Sequence, residues 1–208
     1  EDSIWSGKKL NRINPDAPKK LKEIRNLIRA GKIEEAQELT LYALSGVPNS
    51  QRSYQTAGEC YIHMHNIDDI THYYRDLDLE EGIANVQFVS DGITYQREVI
   101  ASAPAGCMAI HMTTKEGAPF SFDCHLGRKH NFTDEILVRF LVDGGEGISF
   151  CTNLSVDVQP EWMTKGGSVE IIGEFLVVKN VTECVLYLDT ETSFRYSDYI
   201  VAARGRCL

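Results

Sequence analysis

From Tyr54 onward, hydrophobic and polar positions alternate with a period of two. In "GISFCTNLSVDV", Ile148, Phe150, Leu154, Val156 and Val158 alternate with Ser149, Cys151, Asn153, Ser155 and Asp157, as in a strand with one face in a core and the other in water. "PFSFDCHL" repeats the pattern, with Phe120, Phe122, Cys124 and Leu126 on one side. "EILVRFLVDGG", "SVEIIGEFLVVKN" and "ECVLYLDT" supply further strands, bounded by Gly, Asn and Asp turns. The signals amount to roughly nine or ten strands. Strands that follow one another without intervening helices predict a mainly β chain, an antiparallel β-sandwich rather than βαβ units.

Before Tyr54 the period is helical. After Asn14-Pro15, Leu21, Ile24, Leu27 and Ile28 recur at three- and four-residue steps up to Gly31. In a second run Ile33, Ala36, Leu39 and Ala43 share a face, and Gly46 and Pro48 follow it. The spacing predicts a helical hairpin over 15–46, inserted in one sandwich domain covering 1–208, with its antiparallel sheets over 54–194.

The stretch "YRDLDLEEGIANVQFVSDGITYQREVIAS" is rich in acid. Leu77 and Leu79 alternate with Asp76, Asp78 and Glu80, and Asp91-Gly92 reads as a hairpin turn between two strands. The expectation is that the leucines are buried and the acids solvated. The net charge of −9 and the lack of a basic block remove the electrostatic footprint of a nucleic-acid binder. No apolar run approaches the roughly 20 residues that span a bilayer, which speaks against a membrane partner. The chain opens on Glu1-Asp2 without an initiator Met and reads as an excised piece. Its six cysteines form no CxxC or CxxH spacing, so free thiols are expected. Those thiols and the lack of a signal peptide favour the cytoplasm.

Candidate chemistry is sparse. His63 and His65 lie on the same face of an expected strand, with His72, Asp68 and Asp69 further along, and imidazoles two apart can reach one metal ion. No third ligand at a recognised spacing completes the set, so no metal and no cofactor are expected, and His63 and His65 are only weak candidates. There is no GxSxG, and no cysteine stands in a recognisable catalytic signature. Gly144-Gly145 and Gly166-Gly167 are expected between strands, as loops rather than phosphate cradles.

Several spaced segments occur in a telling order. "EDSIWSG", "NPDA", the helical "IRNLIRAGKIEEAQELT", "YQTAGECYI" and "YYRDLDLEEGIANVQFVSDGITYQREVIASAP" resemble the N-terminal β-domain of glycoside hydrolase family 95. The family pattern there is approximately N-E-D-T-L-W-S-G, N-P-D-A, a helical pair, Y-Q-P-L-G-D-L and Y-x-R-x-L-D-L-x-x-G, then a strand, D-G and Y-x-R-E-x-F-x-S. The resemblance extends through "GISFCTNLSV" and "GGSVEIIGEFLVVKNVTECVLYLDTETSF", nearly the whole chain. Thr56-Ala57, Glu59-Cys60 and Ile100 depart mildly from it.

The resemblance implies a β-supersandwich lacking its first strands and followed in the parent by a catalytic (α/α)6 barrel. It implies an α-L-fucosidase or α-L-galactosidase that works by inversion, with both catalytic carboxyl groups in the barrel and none in this chain. The barrel would be the partner, and carbohydrate would be met through the parent. Trp5, Ser6 and Gly7 would face the barrel or the sugar, an indole offering a flat apolar surface to a sugar ring. The alternative is a self-standing carbohydrate-binding or structural sandwich without turnover.

Overall fold

The computed structural model describes residues 4–5, 7, 10–49, 54–128, 134–137, 140–143 and 147–205, with the backbone alone at 5, 55, 134–137, 140–143 and 204. In chain order the elements are β1 (Ile4–Trp5), α1 (Ala17–Arg29), α2 (Ile33–Leu44), β2 (Tyr54–Gln55), β3 (Glu59–Met64), β4 (Thr71–Asp78) and β5 (Ile83–Ser90). There follow β6 (Ile93–Ser102), β7 (Cys107–Thr114), β8 (Phe120–Gly127), β9 (Asp134–Leu137), β10 (Phe140–Asp143) and β11 (Phe150–Asp157). A 3-10 turn at Pro160–Trp162 precedes β12 (Met163–Ile172), β13 (Phe175–Val181), β14 (Glu183–Thr192) and α3 (Tyr199–Gly205).

The strands form a large sheet of eight, in the order β4-β5-β6-β7-β14-β11-β10-β9, and a small sheet of four, β12-β13-β8-β3, beside a two-stranded β1-β2 pair. All strand pairs among the described residues are antiparallel. The core lies between the sheets, where Phe122, Cys124, Leu176 and Val178 of the small sheet meet Ile110, Met112, Leu154 and Leu186 of the large one. The mainly β, antiparallel sandwich with a helical hairpin near its N-terminus thus matches the periodicities. Pro18 sits in the first turn of α1, where the missing N–H costs nothing, and Gly31 at φ 75° follows its end. Asp91 (φ 49°) and Gly92 (φ 76°) both take the left-handed conformation that a two-residue hairpin between β5 and β6 requires.

The expected burial of Leu77 and Leu79 is overturned, whereas Asp78 and Glu80 are exposed as expected. Leu77 is 60 % exposed and Leu79, in the turn after β4, 85 % exposed. Strand β4 is the edge of the large sheet, and four strands cannot cover eight, so its inner face reaches beyond the small sheet into solvent. Asp76, expected to be solvated, is half-buried and accepts a hydrogen bond from Asn85 Nδ2 at 3.2 Å. A second correction concerns β11: Cys151, Asn153 and Ser155, read as a wet face, are buried. Helix α3 packs against β11 and β14, so both faces of β11 lose water. On the hairpin, Ala36, Ala43 and Ile24 are buried, whereas Ile28 and Ile33 are exposed. Gly166-Gly167 lies inside β12, at the register shift between Met163 and Ser168, rather than between strands; Gly144-Gly145 falls outside the described residues.

Leu186→Ala is expected to cost about 2–5 kcal/mol, the range for a truncated core leucine. Leu79→Ala should stay within about 0.5 kcal/mol. Urea unfolding of the two variants checks the ordering, and equal losses would contradict the uncovered edge.

Candidate functional site

Strands β3 and β8 are neighbours in the small sheet although about sixty residues separate them in sequence. Their register sets Tyr61 opposite His125 and His63 opposite Asp123. Cys60, Ile62 and Met64 of β3, and Phe122, Cys124 and Leu126 of β8, belong to or pack on the core. By the two-residue period of a strand, Tyr61, His63, Asp123 and His125 therefore stand on the outer face. His65, just beyond β3, is tied to the same ladder by its N–H, which donates to the Ser121 carbonyl at 2.9 Å.

Two imidazoles converge on one carboxylate oxygen. His65 Nε2 lies 2.7 Å and His63 Nδ1 3.2 Å from Asp123 Oδ2. An ionised carboxylate only accepts, so both nitrogens carry a proton in this arrangement. Partial burial pushes the Asp123 carboxyl pKa up, but the hydrogen bonds from His65 and His63, with their charges, outweigh it and hold the group below its ordinary value. One potential ligand atom from each residue lies within 4.8 Å of the others. His63, His65 and Asp123 are thus the residues of this face, among those described, that could hold a metal ion.

Beside this trio runs an aromatic row. The His125 ring stacks on Tyr61, with centroids 5.0 Å apart, and meets Phe175 of β13 edge-on at 4.8 Å. The Tyr61 hydroxyl donates to Glu59. Gly127 makes room for the ring: a Cβ there would stand 2.9 Å from Tyr61 Cε2.

On the outer face of the large sheet His111 lies between two acids, Nδ1 at 3.1 Å from Glu98 Oε2 and Nε2 at 2.9 Å from Glu183 Oε1. Burial lowers its pKa, but the hydrogen bonds to Glu98 and Glu183 and their charges prevail and raise it. Asp76, Asn85, Glu98, His111 and Asp157 occupy one row across β4, β5, β6, β7 and β11. Between the sheets, Arg97 Nε is buried without a hydrogen-bond partner among the described residues, and burial lowers its pKa. The cavity beside it, lined by Tyr95, Met112 and Phe120 among others, has room for about 10 Å³, space for a water at most and far below a sugar ring.

Of the residues singled out in the sequence, His63 and His65 come together and gain the third donor that their spacing did not offer. His72 lies on β4 of the large sheet, and Asp68 and Asp69 precede β4; none of them is in the trio. Trp5 is described only by its backbone, which pairs with Tyr54, Gly7 is buried, and Ser6 lies outside the described residues. Sequence reasoning missed Asp123, His125, Arg97 and His111. The alternation of "PFSFDCHL" does place Asp123 and His125 opposite the phenylalanines, and Arg97 interrupts the inward series Tyr95, Val99. The pairing of β3 with β8 carries no such local signal. Cys60, Cys107, Cys124 and Cys184 are free thiols: Cys124 and Cys184 are buried, burial pushing the Cys184 thiol pKa up to about 12, and half-buried Cys60 is pushed up to about 11. Cys207 lies outside the described residues.

Comparison with known proteins adds three findings. A family profile described as "Glycosyl hydrolase family 65, N-terminal domain" matches residues 1–197. "Alpha-L-fucosidase 2" of Arabidopsis thaliana is 28 % identical over 226 aligned residues, covering 93 % of this chain and 26 % of that protein. The chain thus spans about a quarter of the length of this relative. A solved structure from the human microbiome, assigned as a kojibiose phosphorylase, superposes with a TM-score of 0.44 at 7 % identity, covering 73 % of this chain and 25 % of that one.

The raised pKa of His111 sets a direction for pH dependence. Its contribution is complete below the ordinary value of 6.5 and is lost as pH rises through the higher folded value. The melting temperature should therefore fall as pH is raised above 6.5, and His111→Gln should flatten that dependence. An unchanged slope in the variant would exclude His111 as its source.

Proposed function

The chain belongs to the family of glycosyl hydrolase family 65 N-terminal domains, and from that premise we propose that it is the non-catalytic N-terminal domain of an inverting glycoside hydrolase. Its substrates are α-L-fucosides or α-L-galactosides, and it buttresses the catalytic barrel, which supplies the acid and the base. The observation that carries this reading is the likeness to Alpha-L-fucosidase 2 along 93 % of the chain, joined to the ordered segments that resemble family 95. Because the chain corresponds to 26 % of that relative, the remaining length has room for a separate catalytic unit.

The residues give this reading further support. Inverting glycosidases hold two carboxyl groups about 6.5–9.5 Å apart around a sugar and a water, inside a cleft. Glu98 and Glu183 share His111 on a sheet face instead, and the cavity beside Arg97 is far too small for a sugar. The uncovered face of β4, with Tyr73, Leu77 and Leu79 exposed, is the apolar surface that we assign to the barrel contact. The row of Tyr61, His125 and Phe175 favours a second reading, a carbohydrate-binding sandwich, since flat rings are what sugars stack on.

The purified chain should give no turnover of an aryl α-L-fucoside, whereas the complete parent should. In the parent, Leu77→Asp should loosen the barrel contact and lower both melting temperature and activity. Turnover by the chain alone, abolished by a substitution within it, would overturn the reading. Saturable binding of L-fucose to the chain, lost in Tyr61→Ala, would favour the second.

A further inference from the structure

We infer that His63, His65 and Asp123 form a binding site for a divalent transition metal of the zinc class on the outer face of the small sheet. This inference is independent of the glycosidase reading, because it rests only on the trio and on the ladder that holds it. Tetrahedral zinc with nitrogen and oxygen ligands at about 2.0–2.1 Å has donor-to-donor edges of about 3.3–3.4 Å. Two edges of the trio are 3.2 Å and 2.7 Å, and the third is within 4.8 Å. Side-chain rotations of a few tenths of an ångström to about an ångström therefore open the space for an ion. The backbones need not move, since β3 and β8 are registered from Glu59↔Gly127 to Met64↔Phe122.

The donor chemistry selects the metal. Two imidazoles with one carboxylate suit zinc, copper or nickel, whereas calcium and magnesium call for more oxygen ligands. Each ring coordinates through the nitrogen that now donates to Asp123, so a neutral ring first passes its single proton through solvent to its other nitrogen and a doubly protonated ring releases one proton to solvent; neither step needs an oxidant or co-reactant. Asp123, whose side chain is 22 % exposed, and His65, at 30 %, form the floor, and His63, at 77 %, closes from the solvent side. The fourth position opens outward, to water or to a ligand atom from a neighbouring surface. The core thiols are protonated competitors, since burial raises Cys60 and Cys184.

The test is a calorimetric titration of the EDTA-treated, dialysed chain with ZnCl2, repeated with Co2+ to read its visible ligand-field absorption. One equivalent should bind and the melting temperature should rise, because an ion that binds the folded chain stabilises it. His63→Gln and Asp123→Asn should each weaken binding by about tenfold or more, and His72→Gln should leave it unchanged. His63 is exposed enough that its variant keeps the fold, which circular dichroism verifies. Absence of binding and of any melting shift with excess Zn2+ would overturn the inference. Binding that survives both variants at full strength would do so too, by placing the metal elsewhere.

Discussion

The interlocking of Phe122, Cys124 and Val178 from the small sheet with Ile110, Leu154 and Leu186 from the large sheet is the contact on which the rest of the fold depends. These side chains are almost wholly buried, and burial of apolar area at about 25 cal/mol per Å² is the main force that can hold two sheets together. Everything outside that contact is positioned by it. Turning β3 and β8 inward at Ile62, Phe122 and Cys124 forces His63, Asp123 and His125 outward, because a strand has only two faces. The histidine–carboxylate trio is in this sense a by-product of core packing, held at fixed spacing by backbone ladders.

The inequality of the sheets shapes the surface. Eight strands against four leave the β4 edge uncovered, and Leu77, Leu79 and Tyr73 stand in solvent there. Helix α3 covers part of the opposite face, where Asp189 and Glu191 of β14 are buried alongside Cys151 and Asn153 of β11. One sheet thus carries an apolar stretch open to water and an acidic stretch closed to it, the reverse of what alternation alone assigns.

Charge on the outer faces is organised in pairs of acid and imidazole. His111 between Glu98 and Glu183, and Asp123 between His63 and His65, are mirror arrangements, one imidazole with two carboxylates and one carboxylate with two imidazoles. The first raises the imidazole's pKa and links β6, β7 and β14. The second gathers three donors around one point, each imidazole holding there the proton that a metal would displace. The pairing explains how a chain with a net charge of −9 crosses its sheets with acids without scattering them.

The sequence by itself determined the secondary structure and most of the inward faces. Phe120, Phe122, Cys124 and Leu126 alternate and are buried, Asp91-Gly92 turns the hairpin, and Gly31 follows the first helix. Helix α3 was not read from the sequence, although Asp198 accepts from the Val201 N–H at 3.0 Å, as a capping residue does. These features are local, set by side-chain period, φ and capping. Only the tertiary structure decided which strands are neighbours, how far one sheet overhangs the other and what lies on their outer faces. Asp123 joins His63 because β8 lies beside β3, and Leu79 is wet because β4 is an edge. Period-two alternation states which side of a strand a residue takes, whereas burial and convergence depend on what the rest of the chain brings to that side.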